Sequence, residues 1–180
     1  LLHFDGSNGS TTLTNEVSGG ATPTISGSGA LSTTQAKFGS ASWKGDSGTY
    51  FELAVGSSGS FTGDFTLEWC GHSLADGACT IYSTTGSSYL YNGSFQDYGG
   101  SALSLSVSQS GWKHFVICRQ GSTMRAYVDG VQTGTATYSG TVDLRTTQWG
   151  RYAPNNNLYS TGYIDELRLT AGVCRTAPLM

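Results

Sequence analysis

The chain has 180 residues, a formal net charge of −3, 12% charged residues, 12% aromatics, 26 glycines and only 3 prolines. That length accommodates one domain with a two-layer core and is short for two. An acidic balance with no cluster of Lys or Arg argues against nucleic-acid binding, and no apolar run reaches the roughly 20 residues of a membrane-spanning helix.

In chain order, Leu1 opens the sequence without the charged and apolar start of a secretory leader, so residues 1–180 read as a single domain cut from a longer chain. The Gly-, Ser- and Thr-rich stretch from Ser18 to Thr34 predicts a long surface loop with one short strand around Ile25. Gly45, Asp46, Ser47 and Gly48 spell the centre of a serine-protease nucleophile loop. They lack its following glycine and are taken as a turn. From Phe51 onward, Phe51, Leu53 and Val55 alternate with Glu52 and Ala54, the period-two pattern of a strand with one buried face. The same rhythm returns with Phe65, Leu67 and Trp69, and again with Leu103, Leu105 and Val107. Antiparallel strands solvated on one side follow.

The run from Trp112 to Arg119 is apolar on both faces, with Phe115 and Ile117 opposite Val116 and Cys118, and predicts a central strand. Asp129-Gly130 and Asn92-Gly93 are two-residue hairpin signals. Near the end, Ile164 falls on the opposite parity from Leu167 and Leu169, which a bulge at Asp165 and Glu166 would reconcile. Short strands separated by polar turns predict an all-β antiparallel sandwich.

The chemistry-bearing residues are sparse. Cys70, Cys79, Cys118 and Cys174 lack the spacing of a zinc site, and free thiols are the favoured reading over two disulfides. His3, His72 and His114 read as structural. Sugar hydrolysis needs two carboxylates at the scissile bond. Glu52 and Glu68 each stand alone on outward positions, and the adjacent Asp165 and Glu166 point apart on a regular strand, so no enzyme is expected. The loop from Gln148 to Tyr163 is richer: Trp149, Arg151, Tyr152, Asn155, Asn156, Asn157 and Tyr159 supply ring faces and amides suited to a sugar's C–H face and hydroxyls. On an equally weighted reading, Trp149 and some tyrosines cap the core instead. Tyr89, Tyr91, Phe95 and Tyr98 form a second aromatic group around Asn92.

Five blocks in order, LLHFDGSNGST, KFGSASWKGDSGTYFEL, GDFTLEWC, GWKHFVICRQGSTMRAYVDGV and GYIDELRLTAGVCR, resemble a laminin-G-like, concanavalin A-like jelly-roll domain across nearly the whole chain. The wording LLHFDG and GYIDELRLTAGV resembles the version in bacteriophage tail and other virion proteins. The resemblance implies a two-sheet jelly roll on a virion surface, with host attachment through a surface glycan or contacts with other virion proteins, and a homotrimer as the assembly that suits a tail or fibre. A lectin-like adhesion module is the leading expectation; a purely structural virion module is the alternative, and an extracellular domain with calcium and disulfides a third. No cofactor is expected. Many relatives carry an aspartate-rich calcium loop; here only Asp5 and Asp165 are candidates for a structural calcium.

Overall fold

Inward and outward residues alternate along each long strand, and the computed structural model stacks two sheets so that the inward sets meet. It describes residues 1–73, 81–85, 88–91, 93–96, 103–105, 110–152 and 158–176, with backbone alone at 91, 152 and 158. In chain order the strands are β1 (Thr24–Ser26), β2 (Ala30–Ser32), β3 (Ser42–Gly45), β4 (Tyr50–Ala54), β5 (Ser60–Phe61), β6 (Phe65–His72), β7 (Ile81–Ser83), β8 (Tyr89–Tyr91), β9 (Ser94–Gln96), β10 (Leu103–Ser104), β11 (Trp112–Gln120), β12 (Thr123–Val128), β13 (Val131–Thr137), β14 (Val142–Asp143), β15 (Thr146–Trp149), β16 (Arg151–Tyr152), β17 (Leu158–Tyr159) and β18 (Gly162–Ala171).

The first sheet runs β1-β4-β15-β7-β8-β9-β10 and the second β13-β12-β11-β6-β18-β3-β2, seven strands each. Their pairings are antiparallel throughout, giving the all-β jelly-roll sandwich expected from the sequence. Two small ladders, β5-β14 and β16-β17, complete it. Strand β11, apolar on both faces, lies inside the second sheet between β6 and β12 as expected. The Ser18 to Thr34 stretch holds two short strands, β1 and β2, rather than one.

The turn chemistry acts where predicted. Asp129 and Gly130 both take positive φ, 49° and 79°, between β12 and β13, the twist that a two-residue hairpin needs. Gly93, at φ 67°, joins β8 to β9. The bulge in β18 falls between Asp165 and Arg168 against β6, with Glu166 at φ 52°. This dislocation also explains how the chain's first residues dock. Leu167 N–H and C=O, displaced from the β6 ladder, exchange bonds of 3.0 and 2.8 Å with Leu2.

An aromatic chain fastens the sheets together. Phe51 and Trp149 from the first sheet stack at 5.9 Å, Trp43 meets Phe51 edge-on at 5.1 Å, Trp69 meets Trp149 edge-on at 5.6 Å, and Phe115 stacks on Trp69 at 5.2 Å. Each such ring pair adds about 0.5–1.5 kcal/mol beyond the area it buries.

The outer face of the second sheet departs from simple alternation. Val116, Cys118 and Tyr127 are buried there under the chain that follows β18, and Cys174 is bonded to Cys118. Thr66 Oγ donates to Val173 O at 2.7 Å and accepts from Arg175 N at 2.9 Å, so the segment lies along β6 like a strap. The expectation of free thiols is therefore corrected for this pair: the cysteines are separated by 56 positions, and only the folding back of the tail brings them together. Cys70 is a buried free thiol as expected, and Cys79 lies outside the described residues.

Candidate functional site

At one end of the sandwich the chain leaves β15 through Gly150, whose φ of +90° and close approach to Trp43 leave no room for a side chain. It turns into the β16-β17 hairpin, in which Arg151 pairs with Tyr159 and Tyr152 with Leu158. Ser160 N–H donates to Gly150 O at 2.9 Å and closes the hairpin's base. Gly45 lets Ser160 O pack directly on β3, since a Cβ there would stand 2.7 Å from that oxygen.

The sequence-predicted binding residues divide on this geometry. Arg151 and Tyr159 are cross-strand neighbours, both half-buried. The Arg151 guanidinium lies over the Tyr50 ring, 4.9 Å from its centroid, a cation–π contact between residues about a hundred positions apart, which no local pattern in the sequence signals. Trp149 is a correction. Its indole is 1% exposed, sandwiched between Phe51 and Trp69, and its N–H donates to Thr147 Oγ1 at 2.9 Å. It therefore has no free face for a sugar and serves the core. The Tyr152 side chain and Asn155, Asn156 and Asn157 lie outside the described residues. In the second aromatic group, Phe95 is core and Tyr89 Oη donates to Gln96 at 2.7 Å. The side chain of Tyr91 and all of Tyr98 lie outside the described residues.

Glu68, Cys70, Asp165 and Asp5 are committed to structure. Glu68, expected to face water alone, is fully buried on the outer face of the second sheet. Arg168 Nε donates to it at 2.6 Å and His114 Nε2 stands 3.3 Å away. Burial opposes its charge, yet His114 and Arg168 prevail and hold the carboxyl below its ordinary range. Cys70 lies directly opposite His114 across the β6-β11 ladder, so Cys70, His114 and Glu68 have the composition of a cysteine triad. The thiol is 3% exposed, and burial together with the charge of Asp165 pushes it up to about 12. A thiol held protonated is not a nucleophile.

Asp5 and Asp165 serve the same turn. Asp165 accepts from the backbone N–H groups of Lys37, Phe38 and Glu166 at 2.9, 3.1 and 2.9 Å, and burial pushes its carboxyl up to about 6. Asp5 accepts from Ser40 N–H and Oγ–H. A calcium ion here would have to compete with these donors. Among the described residues no three His, Cys, Asp or Glu side chains gather as a metal site, and no helix is long and apolar enough to cross a membrane.

The Laminin_G_3 model, described as the concanavalin A-like lectin/glucanases superfamily, matches residues 5–176. The chain belongs to this superfamily. No curated protein sequence matches it. Among solved structures of similar fold, domain 4 of AbnA, an extracellular arabinanase from Geobacillus stearothermophilus in complex with arabinotriose, superposes with a TM-score of 0.65 at 14% identity, covering 93% of this chain and 89% of that one. Botulinum neurotoxin type C, whose cell entry depends on interaction with two ganglioside molecules, gives 0.66 at 13% identity over 94% of this chain and 46% of the toxin chain. The binding domain of Paraclostridial Mosquitocidal Protein 1 gives 0.69 at 12%, covering 97% and 49%. The chain thus spans about half the length of the toxin chains it matches, and likeness at this identity establishes the fold alone.

Proposed function

We propose that this superfamily member is a non-catalytic, lectin-like adhesion module that attaches to a surface glycan through the hairpin end of its sandwich. The observation that carries the reading is the Tyr50–Arg151–Tyr159 group, a guanidinium stacked on one ring with a second ring opposite it in the ladder, all three half-buried at the molecular surface. Rings offer apolar faces to a sugar, and guanidinium donors suit its oxygens. Structures of similar fold, one in complex with arabinotriose and one of a toxin whose cell entry depends on two ganglioside molecules, support it. The resemblance of LLHFDG and GYIDELRLTAGV to phage proteins supports placing the module on a virion surface.

The test is a glycan array of the folded domain, with calcium and with chelator, against an Arg151→Ala plus Tyr159→Ala variant. Trp149→Ala is unsuitable as a control because it opens the core. Binding that the variant loses bears the proposal out, and a calcium requirement would assign Asp5 and Asp165 to an ion. Silence across bacterial polysaccharides and host glycans would sink it and favour a structural role between virion proteins.

A further inference from the structure

The outer face of the second sheet carries an unusual row. Reading across four adjacent strands, the register aligns Trp112 of β11, His72 of β6, Tyr163 of β18 and Lys44 of β3. Trp112 and Tyr163 flank the His72 ring edge-on, at centroid distances of 5.3 and 5.8 Å. The three aromatic side chains are half-buried and Lys44 is exposed. At the usual strand spacing the row is about 14 Å wide. The outward positions of a solvated sheet are ordinarily small or charged, whereas here consecutive strands present rings at the same level.

Charge completes the pattern. Lys113 is paired with Asp129, Arg145 with Asp143 and Arg168 with Glu68, but Lys44 forms no ion pair among the described residues. The backbone N–H of Lys37 is held by Asp165, two positions along β18 from Tyr163, and the Lys37 ammonium lies over the Phe38 ring, 5.6 Å from the centroid. A row of rings ending at the Lys44 ammonium, on a chain of net charge −3, is locally complementary to a ligand with apolar ring faces and negative charge.

We infer that the Trp112–His72–Tyr163–Lys44 row is a second glycan subsite, separate from the hairpin, and that it takes an acidic glycan, with sugar rings on the Trp112 and Tyr163 faces and a carboxylate at Lys44. The inference rests on the reading of the chain as a binding module and not on the hairpin being its site.

The molecule carries its own reporter. Of its four tryptophans, Trp43, Trp69 and Trp149 are buried in the core, so acrylamide quenching of tryptophan fluorescence in the native protein reads chiefly Trp112. Titration with polygalacturonate, hyaluronate and sialyllactose is expected to protect that fluorescence for at least one of the three. For polygalacturonate the fully methyl-esterified polymer, the same chain without charge, isolates the carboxylate. Trp112→Phe keeps a ring in place and removes the quenchable signal. Lys44→Glu is expected to weaken affinity about fivefold at low salt, a difference that shrinks in 1 M salt. Arg151→Ala plus Tyr159→Ala leaves the protection intact.

Three results overturn the inference: an affinity that Lys44→Glu leaves unchanged at low salt, protection lost in the hairpin variant alone, or no protection by any of the three glycans. The second leaves the hairpin proposal standing. The third, if the array shows hairpin-dependent binding to a neutral glycan, also removes only the sheet-face site. Silence in both assays removes the two together.

Discussion

The inner and outer faces of the second sheet come from the same strands and are held by different physics. Inward, Phe65, Leu67, Trp69, Phe115 and Ile117 meet the first sheet, and the hydrophobic effect with ring packing does the work. Outward, Glu68 is buried with Arg168 and His114 against it, Val116 and Cys118 lie beneath a disulfide-bonded strap, and Trp112, His72 and Tyr163 stay half open. Alternation assigns a residue to a face. It does not say whether that face is wet.

The contrast can be broken by mutation, monitored by urea denaturation with circular dichroism. Trp149→Ala empties an inner position and is expected to cost about 3–5 kcal/mol, whereas Trp112→Ala on the open part of the outer face should cost under about 1 kcal/mol. Equal losses would mean that the outer aromatic row is as structural as the core. Cys174→Ser releases the strap and should cost about 2–4 kcal/mol in the oxidised protein, since the bond closes a long loop, with no loss when wild type and variant are compared under reduction. Arg168→Met leaves Glu68 charged and short of a partner. Its cost should be about 2 kcal/mol at neutral pH, reduced from that of a fully buried pair because the arginine side chain is 21% exposed.

Acidity sharpens the same comparison. The folded-state pKa of Glu68 is depressed, so its contribution is present above the ordinary glutamate range and is lost as pH falls through the lowered folded value. Arg168→Met should flatten that acid limb. The smallest effect belongs to His3, whose hydrogen bond with Glu166 at 2.7 Å raises its pKa. Its stabilisation is complete below the ordinary histidine value and disappears as pH rises through the raised one. With the imidazole 38% exposed, solvent screening keeps the change under about 1 kcal/mol, and His3→Ala should remove it.

Much of this was legible in the residues themselves. Phe65, Leu67 and Trp69 alternating with their neighbours, Asp-Gly at 129–130 and the parity break around Asp165 are local signals, and each produced the predicted strand, hairpin or bulge. The candidate site was legible only in part. Arg151 and Tyr159 do face one another, but Trp149, which the same composition placed in the loop, closes the core. An indole at a strand's last position looks alike in sequence whether a second sheet lies over it or not.

What the sequence by itself determined is therefore whatever depends on a few neighbouring residues: strand period, turn hand, the bulge and the low charge. What the tertiary structure decided is what covers what. Cys174 reached Cys118, Arg151 reached Tyr50, Arg168 reached Glu68, and three outward rings aligned across β11, β6 and β18. Each of these joins residues at least 56 positions apart or on strands whose pairing a single sequence does not reveal. Their energies come from desolvation and contact, which exist only once the sheets have assembled.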